Sequence, residues 1–142
     1  MRRNILAMVA GVLVVSTAVA LRATGPQKTT NDGIYTKPQA DGAKAQFDKI
    51  CAECHAFTVA AKKQAADLPL GDEPFLKKWE GKAIDELVSV IVLTMPNDGS
   101  AVVSDAEALN LTAYMLQQNG FPAGSAPLSR ETAAAVLARP KK

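Results

Sequence analysis

Cys51-Ala52-Glu53-Cys54-His55 constrains this chain more than any other stretch. The pattern is C-x-x-C-H, the attachment signal of a c-type haem. On a helical turn Cys51 and Cys54 lie three residues apart and share one face. Each thiol then reaches one of the two vinyl groups of a single haem. His55, four residues after Cys51, falls on the same face and offers an imidazole nitrogen to the iron. The chain has 2 Cys and 1 His, so nothing else competes for these roles.

Three other uses of the same residues fit less well. A structural zinc site takes four N or S ligands, more than the Cys and His present. A thioredoxin-like pair needs a βαβ context, and no strand-rich segment flanks the motif. A disulfide between Cys51 and Cys54 is compatible with an oxidising compartment but leaves His55 unexplained.

The first residues point to that compartment. Arg2 and Arg3 precede an apolar run over residues 5–15, and Ala18-Val19-Ala20 forms a small-residue cleavage site. Residues 1–20 therefore read as a secretory signal peptide. The competing reading is an uncleaved N-terminal membrane anchor, because the uncharged stretch from Ile5 to Leu21 is near the lower limit of about 17 residues for a spanning helix. Either way the positive flank holds the N-terminus inside and sends the rest across. Loss of residues 1–20 removes Arg2 and Arg3, leaving Lys plus Arg at 14, equal to the 14 acidic residues. A near-neutral chain excludes the strongly basic face that nucleic acid favours.

The 142 residues allow one small domain with tails. Residues 21–35, rich in Gly, Thr and Asn, read as a linker or extended arm. Thr36 and Gln39 fit a capping box with Pro38 in the first turn. Ala40, Ala43, Phe47 and Ile50 then recur at helical spacing toward Cys51. Gly42 within that helix is explained by a second helix crossing closely. Residues 57–66 are compatible with a short helix, and the run from Leu68 to Pro74 breaks regular structure. Phe75, Leu76 and Trp79 fit a short helix that turns aromatics inward. Trp79 is either ordinary core or a wall of the haem pocket, with its N–H available to a propionate.

Ile84, Leu87, Val88, Ile91 and Val92 mark the clearest amphipathic helix. Asp85 and Glu86 suit its N-terminal dipole, but no Ser or Thr caps it near Ala83. Ser104 and Glu107 form a second capping box, with Val103 and Ala108 placed as a staple. That helix runs to about Gln118, with Leu111, Tyr114 and Met115 inward, and Asn119-Gly120 ends it. The Ala-, Pro- and Ser-rich residues 123–142 form a C-terminal tail expected to be disordered, although residues 129–138 are compatible with a short helix.

The second side of the iron has two candidate thioethers. Met115 lies on an apolar helix face, where a core role is the default. Met95 follows a helix and precedes Pro96, which restricts it to an extended backbone suited to presenting its sulfur. A His/Met pair raises the haem potential and closes the iron to small molecules, whereas an open site suits gas or peroxide chemistry.

With these residues the chain resembles a class I c-type cytochrome, monohaem, over about residues 35–124. The matching features are Gly42 and Phe47 ahead of the C-x-x-C-H motif, Leu68-Pro69-Leu70, Thr94-Met95-Pro96, and the helix carrying Tyr114. The resemblance implies an all-α cytochrome c fold, with three to five helices around one covalently attached haem c. It implies that the first and last helices cross near Gly42, Phe47, Leu111 and Tyr114. It also implies His55 and Met95 as axial ligands, and Pro69 as the proline whose carbonyl fixes the histidine ring. Residues 113–124 are similar to the end of cytochrome domains that accept electrons from periplasmic dehydrogenases, quinoprotein and molybdenum types among them. The sequence departs from the family at Ala56, where Gly commonly follows the His. It departs again at the uncapped Ala83 and in a longer segment between His55 and Pro69.

The expected organisation is a signal peptide or anchor over 1–20, a linker over 21–35, a cytochrome c domain over 36–122 and a tail over 123–142. The expected function is periplasmic shuttling of single electrons from a dehydrogenase to another cytochrome or a terminal oxidase, with no catalytic residue of its own. Membrane contact is expected only if the N-terminal segment is uncleaved. The alternative is a five-coordinate haem enzyme or a gas or redox sensor subunit.

Overall fold

In the computed structural model, which describes residues 26–62 and 69–141, Thr36 opens the first helix. Its hydroxyl accepts from the Gln39 N–H at 3.4 Å, and Pro38 sits in the first turn, where its missing N–H costs nothing. Helix α1 spans Lys37–Ile50, α2 Asp72–Trp79, α3 Ile84–Thr94 and α4 Asp105–Gln118. The 3-10 turns Thr30–Asp32 and Thr132–Ala134 flank them. Among the described residues β pairing is confined to two isolated bridges, so the fold is all-α, as expected. The signal or anchor segment lies outside the described residues. Within them, no helix is long and apolar enough to cross a membrane.

The core is built on α1 against α4, with α3 packed on α4. Ala40, Ala43 and Phe47 are the buried residues of α1. On α4 burial extends beyond the expected Leu111, Tyr114 and Met115 to Thr112, Ala113 and Leu116, so its middle is enclosed on every side. A fully buried side chain such as Leu111 contributes about 1.5–3 kcal/mol.

Two expectations about α1 are corrected. Gly42 is exposed, and a Cβ added there would meet nothing within 4 Å, so no helix crosses at it. The small residue buried on α1 beside it is Ala43. Nor does Gln39 close a capping box. Its side chain donates to Asn110 Oδ1 and to the Leu128 carbonyl, both at 3.0 Å, and accepts from the Leu128 N–H at 2.7 Å. Those bonds tie α1 to α4 and to the tail. The box at Ser104 and Glu107 does form, with Val103 and Ala108 buried beside it.

The segments before α1 and after α4 are packed: the described residues 26–35 form the arm of the two alternatives, and the tail is ordered, contrary to the disorder expectation. Thr30, Ile34 and Tyr35 are buried in the arm, and Leu128, Ala133, Ala135 and Leu137 in the tail. Tyr35 donates its hydroxyl to the Phe121 carbonyl at 2.7 Å, and the Gly124 N–H donates to the Tyr35 carbonyl at 2.6 Å. A Cβ on Gly124 would lie 1.9 Å from the Gly33 carbonyl oxygen, so only glycine permits this crossing of arm and tail. Farther on, Val136 bridges to Thr29 on one side and to Ala83 on the other.

The tail also supplies what α3 lacks. Ala83 gives no side-chain cap, and the orphan Ile84 N–H instead donates to the Ala135 carbonyl at 2.9 Å. Arg130 pairs with Asp85 of α3 at 2.6 Å and with Asp105 of α4. Arg139 binds both carboxylate oxygens of Glu73 at 2.8 Å and reaches Glu80 at 3.0 Å, tying the tail to α2.

These arginine hydrogen bonds hold the Asp105 and Glu73 carboxyls below their ordinary values of 3.8 and 4.5. A carboxyl depressed on folding stabilises the folded state above its unfolded value, and that contribution is lost as pH falls through the lowered one. Acidification below about pH 4 should therefore loosen the tail before the α1–α4 core. Amide exchange should show protection falling first at Gly81 and Ile84, whose partners are tail carbonyls. High salt at neutral pH should act in the same direction.

Candidate haem site

α1 ends where the motif begins. Cys51 is its C-cap, with φ −118° and ψ −38°, and its N–H donates to the Phe47 carbonyl at 2.9 Å. The chain then continues through one more helical turn. The Cys54 and His55 N–H groups both donate to the Cys51 carbonyl, at 3.2 and 2.9 Å. Cys51 is half-buried and Cys54 exposed, and both are free thiols. Burial pushes the Cys51 thiol up to about 11.

An aromatic cluster fixes this turn. Phe57 stacks on Phe47 of α1 at 5.0 Å between ring centroids and meets Tyr114 of α4 edge-on at 5.8 Å. Phe47 and Tyr114 themselves lie 5.1 Å apart. The residue two beyond His55 is thus held by the contact that joins the two principal helices. After it the described chain turns through Thr58–Ala61 and Val59–Lys62 hydrogen bonds rather than forming the expected helix. Residues 63–68 lie outside the described residues.

Cys51, Cys54 and His55 share one cavity of about 470 Å³ with Met95 and Trp79. Leu70, Leu87, Ile91, Val103 and Leu111 give it mainly apolar walls. Met95 is the C-cap of α3 and has the extended backbone expected before Pro96, with φ −118° and ψ 143°. The Met95–Pro96 peptide is cis. Met115 also reaches the cavity, from a buried position inside α4. Trp79 is 5% exposed, with the Lys78 and Lys82 ammonium groups 5.3 and 5.2 Å from its ring centroid. Pro69 is buried, but its neighbour Leu70 is the residue that forms the wall.

Residues 38–115 match the family described as cytochrome C oxidase, cbb3-type, subunit III. The chain belongs to this family of c-type cytochromes. No curated protein and no solved structure matches it. As a cytochrome c domain it is a monohaem electron-transfer protein with redox partners, and its cofactor is one covalent haem c. The residues of this cytochrome fit that group: two unpaired thiols and an imidazole stand at the wall of an apolar cavity, and a thioether reaches the same space.

Sequence reasoning missed Phe57, Leu70 and the two lysines over Trp79. Phe57 carries a local signal, since a large aromatic two residues after His55 needs a partner. Leu70 and the lysines acquire their places only through the packing of α2. Replacing Phe57 with Ala should destabilise this cytochrome by about 2 kcal/mol, the cost of a large-to-small change at a half-buried aromatic. Denaturant unfolding measures that loss, and faster exchange of the His55 amide would place it at the motif.

Proposed function

We propose that the protein is a periplasmic monohaem cytochrome that carries single electrons from a dehydrogenase to another cytochrome or a terminal oxidase. The observation that carries this reading is the common cavity of Cys51, Cys54, His55 and Met95. In this reading Cys51 and Cys54 would hold the haem through thioether bonds, and His55 and Met95 would supply imidazole and thioether ligands to its iron. When bound, the haem supplies the one-electron redox chemistry. The chain's own task is to fix that group and keep its surroundings from rearranging.

Its residues are suited to the task. The turn after α1 sets Cys51, Cys54 and His55 in one frame, held by the Phe47–Phe57–Tyr114 cluster. The α3 terminus and Pro96 hold Met95 extended at the cavity. Met115 is embedded in the regular hydrogen bonding of α4, so using its sulfur requires no loop but removes a core side chain. Leu87, Ile91, Val103 and Leu111 exclude water. Pro69, next to the wall residue Leu70, would orient His55, and Trp79 would form a wall with its N–H available to a propionate. The position of Met95 at the cavity favours the six-coordinate reading over the five-coordinate alternative.

Export rests on the composition of residues 1–20. A dehydrogenase as donor rests on the likeness of residues 113–124 to cytochromes that serve such enzymes. The family description names an oxidase subunit, which supports an oxidase or cytochrome as acceptor.

Protein recovered from the periplasm should be coloured and should have the mass of the mature chain plus one haem. A colourless chain with two free thiols overturns the reading. Met95→Ala should abolish the thioether-to-iron absorption at the red end of the oxidised spectrum and let the reduced protein bind CO rapidly. Survival of that band would remove Met95 from the ligand set.

A further inference from the structure

Asn119, the residue just after α4, joins two walls of the cavity without lining it. Its side-chain amide donates to the Leu70 carbonyl at 2.7 Å and to the Met115 carbonyl at 2.8 Å. Leu70 and Met115 both line the cavity. The Leu70 N–H in turn donates to the Ala56 carbonyl at 2.8 Å, one residue beyond His55. Gly71 seals the junction: an added Cβ would lie 2.2 Å from the Phe57 carbonyl oxygen and 3.1 Å from Asn119 Oδ1. The segment at Leu70 and Gly71 is therefore gripped by the chain leaving His55 on one side and by a single amide at the end of α4 on the other.

The side chain is not needed to end the helix. Gly120, at φ 77°, provides the left-handed terminus, and the Asn119 backbone N–H already donates to the Met115 carbonyl at 3.1 Å. The Met115 bond doubles one the backbone N–H already makes, and the bond to the Leu70 carbonyl is the one that leaves the helix and ties α4 to the Leu70 wall.

We propose that Asn119 is a positioning residue for the haem. It locks the Leu70 and Met115 walls together and keeps water away from the side of the cavity that carries His55. This rests on the haem-binding reading above. A loosened wall admits water, water favours the more charged oxidised iron, and the reduction potential falls.

The test uses the full holoprotein. Asn119→Ala should lower the equilibrium constant for reduction about tenfold, a shift of about 59 mV for one electron. Gly120→Ala, strained at the same helix end but leaving both amide bonds intact, should lower thermal stability and leave the potential unchanged. An unshifted potential in Asn119→Ala, or an equal shift in Gly120→Ala, overturns the proposal while leaving the haem reading in place. Absence of covalent haem from the wild type would instead remove the reading itself. If Asn119→Ala does not accumulate, amide exchange in the wild-type holoprotein decides. Leu70 and Asn119 should open as one unit, and a Leu70 amide that opens far more readily than Asn119 overturns the proposal.

Discussion

The contact of Phe47 with Tyr114 and Phe57 is the constraint on which the rest of the molecule depends. Phe47 closes the last full turn of α1, Tyr114 lies in the middle of α4, and Phe57 follows the haem motif. One cluster therefore sets the helix crossing and the direction in which Cys51 to His55 leave it. Had these rings lain elsewhere, the same motif would still form a turn, but nothing would aim that turn at a cavity. Aromatic rings suit the role because each buries a large area with few rotatable bonds.

Around that crossing, the chain ends complete what the central segment leaves open. α3 lacks a capping side chain, and the tail provides a carbonyl for Ile84. α2 is short and carries Trp79, and Arg139 holds it through Glu73 and Glu80. The match to the cytochrome family spans residues 38–115, so the clamping arm and tail lie outside it. The ion pairs of Arg130 and Arg139, each with two carboxylates, are exposed and individually weak. The buried Leu128, Ala133, Ala135 and Leu137 beside them give the tail an apolar anchorage of its own.

Much of the local geometry of the candidate site was legible because its signals are local. The C-x-x-C-H spacing, Pro96 after Met95 and the apolar stripe of α3 are each contained in a few residues, and the structure has the corresponding turn, extended residue and helix. What escaped was long-range. Gln39 looked like half of a capping box, but its amide is committed to Asn110 and Leu128, far along the chain. The tail looked disordered because Ala, Pro and Ser predominate. Small side chains are what let Ala133 and Ala135 bury completely, with the Ala135 carbonyl at the start of α3, and composition does not distinguish close approach from absence of packing. Gly42 misled in the opposite sense: a glycine in a helix invites a crossing, and here it faces solvent.

The placement of Trp79 has a practical consequence. It is the chain's single tryptophan, and it forms part of the cavity wall. A porphyrin accepts excitation energy from a nearby indole, so fluorescence from this one residue serves as an internal gauge of whether the prosthetic group is seated. Dim emission marks the loaded protein. Brightening on denaturation reports separation of the ring from the indole, even though the thioethers keep both on one polypeptide.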